Sequence, residues 1–126
     1  MAHETIMKTQ PQMINWTNVP VEHLESGIER QMVVGQHLMI CRLRFPANLA
    51  TPAHDHLHEQ MTIVEQGHVL FVIGDKKEIA RPGDVLCFPS NYWHGATMLD
   101  EEVVLIDIFT PIREDFLAAR KSNGTK

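Results

Sequence analysis

Short apolar runs separated by turn residues fill the chain from about Gln31 to residue 110, and this alternation limits the fold more than any other feature. The turns fall at Gly67, at Gly74-Asp75 and at Pro82-Gly83-Asp84, where proline presets φ and glycine permits a positive φ. Regular short strands of this kind are typical of an all-β sandwich or barrel. The runs are "RQMVVGQHLMICRLRF", "EQMTIVEQ", "HVLFVIGD", "EIARPGDVLCFP", "NYWHGATML" and "EEVVLIDIFT".

The pattern changes after Pro111, where "IREDFLAARK" places apolar residues at helical spacing, with acids early and bases late. This order suits the helix dipole and predicts a short amphipathic helix. A chain of 126 residues can bury a core without a disulfide or a structural metal. We predict a flexible N-terminal arm at 1–15, one all-β domain with its C-terminal helix at 16–120, and a disordered tail at 121–126.

Charge and composition exclude several classes of partner. Sixteen acids against eleven bases give a net charge of −5, so nucleic acid is not an expected partner. The N-terminus lacks the apolar segment of a signal peptide, and no apolar run is long enough to span a membrane, so we expect a soluble, cytoplasmic protein. Cys41 and Cys87 lie inside apolar runs without CxxC spacing and are both predicted to be buried core residues.

The stretch "HDHLHEQ" at 54–60 concentrates metal-binding side chains. Alternate residues of a strand point to one face, so His54 and His56 can direct two imidazoles toward one point, and His58 and Gln60 share their parity. His94 offers a further imidazole from a later strand. Imidazoles with a weak amide-oxygen ligand suit a Lewis-acidic divalent transition metal. The alternative is a histidine-rich surface loop that binds metal adventitiously.

The stretch that begins at His54 also resembles the first motif of the cupin family, HxH(x)3–4E(x)6G. His54, His56 and Gly67 of "HDHLHEQMTIVEQG" are in register with it, and Gln60 stands where glutamate is usual. The resemblance implies a cupin jelly-roll β-barrel that encloses a metal.

A second segment, "GDVLCFPSNYWH", resembles the second cupin motif, G(x)5PxG(x)2H. Gly83, Pro89 and His94 are in register, and Asn91 replaces the usual glycine. This departure is mild because asparagine tolerates the left-handed backbone conformation. The two motifs cover roughly residues 47–98.

The form HxHxHEQ and the ending "LIDIFTPIREDFL" narrow the resemblance to the pectin-degradation cupins, which linearise 4,5-unsaturated uronates, over about Trp16 to Leu117. The resemblance implies an enzyme that opens the ring of these monosaccharides, with one divalent metal per subunit, Ni, Zn, Fe, Mn or Co. It implies His54, His56, Gln60 and His94 as metal ligands, and it assigns Asp107, Phe109 and Arg113 to substrate binding and turnover.

The residues of that ending can also be interpreted without the resemblance. Val103, Leu105 and Phe109 share a strand face with Asp107, so its carboxylate is expected to be desolvated and its pKa raised. Asp107 could instead be structural, paired with Arg113 or capping a turn. An arginine at a helix N-terminus is electrostatically disfavoured and requires a carboxylate partner, which a uronate would provide; the alternative is an ordinary surface base.

Less specific predictions concern neighbouring residues and assembly. We expect His58 to support the metal ligands from the second shell, with a direct ligand or a solvent-facing residue as alternatives. Tyr92 is a candidate substrate contact, although packing at the barrel rim is the commoner role for Tyr92 and Trp93. Apolar residues on both faces of the last strand, with the N-terminal arm, predict a homodimer. Rival functions are an iron-dependent dioxygenase, a metal-dependent lyase or cyclase, and a non-enzymatic cupin that binds a small acid.

Overall fold

The fold is built of antiparallel strands, as the alternation predicts. The computed structural model describes residues 10–124, with side chains up to Ala119. Ten strands precede one α-helix, and short 3-10 turns lie at Trp16–Asn18 and Glu25–Gly27. The strands are β1 (Glu22–His23), β2 (Glu29–Val34), β3 (Met39–Phe45), β4 (Ala50–His54), β5 (Glu59–Gln66), β6 (Val69–Ile73), β7 (Lys76–Ala80), β8 (Val85–Phe88), β9 (His94–Met98) and β10 (Val103–Thr110); the helix is α1 (Glu114–Gly124).

Two sheets face one another across the core. The larger has six strands in the order β1-β2-β3-β10-β5-β8, and the smaller has four in the order β4-β9-β6-β7. Alternating burial along β2 and β3 directs one face of the larger sheet inward, as a half-buried antiparallel sheet requires. This double-sheet, all-β architecture confirms the predicted fold class. The most buried core side chains include Met32, Met39, Val64, Phe88 and Met98.

Individual strand boundaries differ from the apolar runs. The run at 30–45 contains two strands, because the chain turns between Val34 and Met39 to form the β2–β3 hairpin. The run "EIARPGDVLCFP" likewise holds β7 and β8, which belong to different sheets. β4 was not recognised as a run, since "ATPAH" is short and its residues are mostly exposed.

The predicted helix after Pro111 is present as α1. Ile112, Phe116 and Leu117 pack against the core from this end of the chain, which seats the helix beside the site described below. Of the predicted arm and tail, residues 1–9 and 125–126 lie outside the described residues, and the three-segment division stays a prediction. No helix in the described part of the chain has the length and apolarity to cross a membrane.

The two cysteines occupy different environments, and the prediction that both are buried is wrong for Cys87. Cys41 is fully buried on the inner face of β3, whereas Cys87 is exposed. β8 is the outermost strand of the larger sheet, and its Phe88 points inward while Cys87 takes the outer face beside Met61. Because the residues of β8 are apolar on both faces, the sequence did not show which of them would be buried.

This difference predicts that one thiol reacts in the folded protein. Burial raises the pKa of the Cys41 thiol to about 12, so the reactive thiolate is almost absent there at neutral pH. We expect Ellman's reagent to titrate one thiol per chain in the native protein, two after denaturation, and none in native Cys87→Ser. Two reactive native thiols would contradict the buried position of Cys41.

Gly67 joins β5 to β6 in a conformation that only glycine adopts freely. Its φ is +85°, and a Cβ there would lie 2.6 Å from the carbonyl oxygen of Glu102 and 2.8 Å from Cγ2 of Val103. Gly83 has φ +96° but open space around the Cβ position. It is therefore a matched control for backbone strain without a clash.

We expect Gly67→Ala to lower the free energy of unfolding by about 3 kcal/mol or more, and Gly83→Ala by about 1 kcal/mol. Strain at positive φ acts in both variants, whereas the clash acts only at residue 67. Urea denaturation measures both values. Equal losses would show that the backbone around Glu102 relaxes freely.

Candidate metal centre and acid pocket

Three imidazoles meet between the two sheets. His54 is the last residue of β4 and His94 the first of β9, and the two are cross-strand partners. Gly95 lets these strands approach, since a Cβ there would lie 3.0 Å from Cα of Ala53. The third imidazole is His56, and one ligand atom from each of the three residues lies within 4.8 Å of the others.

His56 reaches this point from a loop and not by strand alternation, so the parity argument for it is wrong. β4 ends at His54, and residues 55–58 form the connection to β5. The backbone N–H of Asn91 donates to the carbonyl of His56 at 2.7 Å, and Ser90 Oγ donates to the carbonyl of Leu57. Asn91 adopts φ +61°, as its place in the second motif predicts. These bonds tie the His56 loop to the loop that precedes His94.

Backbone carbonyls orient all three rings. Nδ1 of His54 lies 3.0 Å from the carbonyl of Pro52, and Nδ1 of His94 lies 2.8 Å from that of Tyr92. Nδ1 of His56 lies 2.9 Å from the carbonyl of His58. A carbonyl can only accept, so each Nδ1 carries the hydrogen, which leaves the Nε2 lone pair as the free donor for a metal.

Gln60 completes a donor set that fits a divalent metal. Its Oε1 lies 3.0 Å from Nε2 of His56. Burial lowers the pKa of both His56 and His94, so these rings are neutral and their Nε2 atoms present lone pairs. The Nε2 lone pair of His56 faces the amide oxygen of Gln60. These two atoms both donate electron pairs, so a cation bound to both would stabilise their close approach. Three imidazoles and an amide oxygen are compatible with Zn, Ni, Fe, Mn or Co.

A chain of hydrogen bonds leads from this donor set to Asp107. Nε2 of Gln60 donates to the Thr62 hydroxyl at 2.8 Å, and that hydroxyl donates to Oδ1 of Asp107 at 2.6 Å. Thr62 is completely buried and was not singled out from the sequence. Its position two residues after Gln60 on β5 was the available signal, because side chains at i and i+2 share a face.

The carboxyl of Asp107 has the raised pKa that its apolar strand predicts. Burial raises its pKa to about 6, although the Thr62 hydrogen bond, the positive charge of Arg113 and the Gln60 hydrogen bond each lower it. The raised pKa confirms the expected desolvation. Within the described residues the carboxylate has Thr62 and Gln60 as hydrogen-bond partners and no ion pair with Arg113.

Arg113 lies just before α1 with its side chain only 11% exposed, so it is not an ordinary surface base. Nε donates to Oδ1 of Asp115 at 3.0 Å and Nη2 to Oδ2 at 2.7 Å. The carboxylate partner that its position requires is therefore present within the chain. The guanidinium also lies over two aromatic rings, with Cζ 4.9 Å from the centroid of Phe109 and 4.0 Å from that of Phe116.

Most of these side chains line one cavity of about 260 Å³, but His56 is not part of its lining. The inner part is apolar, with Leu43, Phe45, Phe71, Met98 and Leu105, and a titratable carboxyl set among such residues is a mark of functional sites. The polar residues of the lining are Thr51, His54, Gln60, Thr62, His94, Asp107 and Arg113.

Tyr92 and His58, like His56, are not part of the cavity lining. Tyr92 is 44% exposed, and its ring lies 3.3 Å from where a Cβ of residue 74 would be, on the outer surface. His58 supports His56 through its backbone carbonyl, while its ring lines a neighbouring surface cavity with Leu57 and Asp115. The substrate role of Tyr92 and the second-shell role of the His58 imidazole stay predictions.

Comparisons with known proteins agree with this fold and its motifs. Residues 42–109 match the family model of the cupin domain. The chain is 35% identical over 100 residues to the pectin degradation protein KdgF of Dickeya dadantii (strain 3937), covering 78% of this chain and 91% of that protein. The crystal structure of an RmlC-like cupin from Shewanella frigidimarina superposes with a TM-score of 0.79 at 27% identity, covering 87% of this chain and 99% of that one. The structure of KdgF from Halomonas sp. has a TM-score of 0.80 at 28% identity, covering 85% and 99%. The chain therefore belongs to the cupin family and resembles KdgF over most of its length.

Proposed function

We propose that the protein is a pectin-degradation cupin that opens the ring of 4,5-unsaturated uronate monosaccharides and yields the linear keto form. The observation that carries this proposal is the desolvated carboxyl of Asp107, which a hydrogen-bond chain through Thr62 and Gln60 connects to the histidines. The 35% identity to a pectin degradation protein supports the choice of a uronate as substrate.

The reaction rearranges bonds within one molecule. The C1 hydroxyl loses its proton, the bond between C1 and the ring oxygen breaks, and C1 becomes an aldehyde. The ring oxygen, already attached to the C4=C5 double bond, becomes the oxygen of an enolate, which gains the proton at C4 and forms a ketone at C5. Atoms and electrons balance, so no oxidant, reductant or water is consumed.

Asp107, Thr62 and Arg113 each have a task in this scheme. Asp107 accepts the proton from the C1 hydroxyl and delivers it to C4, since a carboxyl with a raised pKa both accepts and returns a proton near neutral pH. Thr62 orients the carboxylate by donating to Oδ1. Arg113 binds the C6 carboxylate, and Phe109 forms the apolar wall between Arg113 and His56.

A divalent metal fits the donor set of His54, His56, Gln60 and His94. When bound there, it supplies Lewis-acid polarisation of substrate oxygens. Because Gln60 is neutral, it leaves more of the positive charge of such an ion uncompensated than a carboxylate would.

The test follows the ultraviolet absorbance of the C4=C5 double bond, with unsaturated uronate produced by a pectate lyase. Metal-loaded protein is expected to accelerate its loss over the spontaneous rate. A well-folded, metal-loaded protein that binds a uronate without converting it would instead be a small-acid-binding cupin. Turnover that requires ferrous ion and consumes dioxygen would indicate a dioxygenase.

We further propose a homodimer in the cytoplasm. The outer face of the larger sheet exposes apolar residues at Met61 and Val85, which a second copy could cover. Elution as a monomer in size-exclusion chromatography at micromolar concentration would contradict the dimer.

A further inference from the structure

Both the backbone and the side chain of Arg113 are held in place by groups of the same chain. Its backbone N–H donates to Sδ of Met39 at 3.0 Å, and its carbonyl accepts the first backbone hydrogen bonds of α1, from Phe116 and Leu117. Its side chain packs on Phe109 and Phe116, and the ring of Phe116 also lies 4.5 Å from Cζ of Arg30. Phe116 therefore lies in contact with two guanidinium groups, which limits the rotation of Arg113.

Asp115 completes this arrangement from the solvent side. Its side chain is 59% exposed, against 11% for Arg113, and the two form a bidentate pair through Nε and Nη2. A guanidinium has two edges that can bind a carboxylate with two parallel hydrogen bonds. Asp115 occupies the Nε–Nη2 edge, and the hydrogen bonds of the described residues leave the Nη1–Nη2 edge without a protein partner.

Arg113, which carries this remaining edge, lines the cavity together with Asp107 and Phe109. We infer that Asp115 is a positioning residue: it holds Arg113 by the Nε–Nη2 edge and leaves the Nη1–Nη2 edge to bind the carboxylate of a substrate in the cavity. The identity of that carboxylate as a uronate rests on the proposed function. Asp115 needs no contact with the substrate for this task.

Two different roles for Asp115 predict opposite results. A positioning residue reduces the entropy that Arg113 loses on binding, so its removal weakens binding. A competitor would occupy the guanidinium that a substrate needs, so its removal would tighten binding. The bond geometry favours positioning, because Arg113 can bind a second carboxylate without releasing the first.

The experiment compares wild type with Asp115→Asn, Asp115→Glu and Glu114→Gln. The last is the matched control, because Glu114 is the adjacent exposed acid and forms no ion pair with Arg113 in the described residues. We expect Asp115→Asn to raise KM for the unsaturated uronate about 10-fold, as loss of a charge-assisted contact implies, with kcat almost unchanged. Asp115→Glu is expected to recover part of the loss, and Glu114→Gln to match wild type.

A second readout reports on Arg113 directly and does not depend on turnover. In proton–nitrogen NMR spectra, the Nε–H of Arg113 is expected to exchange slowly with water in wild type and Glu114→Gln, and rapidly in Asp115→Asn. Calorimetry with galacturonate, and with neutral galactose as the comparison ligand, measures carboxylate binding to the metal-loaded protein. We expect galacturonate to bind wild type about 10-fold more tightly than Asp115→Asn.

The outcomes separate this inference from the proposed function. Galacturonate binding that depends on Asp115, without conversion of the unsaturated uronate, would contradict the reaction and leave the positioning role intact. Equal or tighter binding by Asp115→Asn, or equally fast Nε–H exchange in wild type, would overturn the positioning role. Wild type that binds galacturonate no better than galactose would overturn the assignment of the Nη1–Nη2 edge to a carboxylate.

Discussion

Replacing Asp107 with Asn is expected to lower kcat on the unsaturated uronate by about 100- to 10,000-fold, the usual contribution of a positioned proton-transfer group. Asparagine keeps the shape of the side chain and can still accept the Thr62 hydrogen bond, but it cannot take up and return a proton. Metal content and the circular dichroism spectrum should match wild type. Asp100→Asn, at an exposed acid, is the control and should retain full activity.

The same substitution should stabilise the metal-free protein. A carboxyl whose folded-state pKa is raised opposes folding when it is ionised, so Asp107 destabilises the fold above pH 6 and has no effect below its unfolded value of 3.8. At 1.36 kcal/mol per pKa unit, a shift from 3.8 to about 6 corresponds to at most about 3 kcal/mol. Urea denaturation of chelator-treated protein should show Asp107→Asn gaining stability over wild type at pH 7.5, with the gain disappearing near pH 4.

A fully active Asp107→Asn would eliminate the proton-transfer role. An inactive variant that shows no gain in stability would separate the two properties. The carboxylate would take part in turnover, but it would not be desolvated in the metal-free protein.

Replacing His94 with Ala is expected to weaken binding of Zn²⁺ or Ni²⁺ by at least about 100-fold, since even the outer-shell partners of metal ligands contribute 10- to 100-fold. One ring nitrogen from each of His54, His56 and His94 lies within 4.8 Å of the others, so removal of one imidazole leaves an incomplete donor set. Calorimetry measures the affinity. A metal at 100 times its dissociation constant should stabilise wild type by about 2.7 kcal/mol and the variant by almost nothing.

Two further variants separate the loss of metal binding from damage to the core. His94 is buried and stacks on Phe88 with ring centroids 4.4 Å apart, so its truncation also affects the core. His54 is exposed, and His54→Ala should lose metal with little change in the stability of the metal-free protein. His37→Ala, at an exposed histidine outside the three-imidazole group, should bind metal as wild type does. Retained affinity in both His54→Ala and His94→Ala would place the metal elsewhere.

Local chemistry decided the parts of the site that were predicted from the chain. Glycine and asparagine permit a positive φ, and Gly67 and Asn91 both adopt it, so the turns of the two motifs were predictable from residue type. Asp107 could be identified as desolvated because its neighbours on one strand face are apolar. In each case the deciding interaction lies within a few residues along the chain.

The prediction was incomplete wherever a partner comes from a distant part of the chain. His56 lies in a loop that Ser90 and Asn91 hold in place, so strand parity could not position it. Cys87 is exposed because it takes the outer face of β8 beside Met61, and a continuous apolar run does not show which of its residues face outward.

The amino-acid sequence by itself determined the all-β fold class, the convergence of histidines from two motifs and the presence of an acid on an apolar strand, because residue type and short spacing encode them. Only the tertiary structure decided that Thr62 connects Gln60 to Asp107 and that Asp115 holds Arg113. The physical reason is that a hydrogen bond depends on distances of about 3 Å and on direction, which arise only when strands from both sheets and the final helix pack around one cavity.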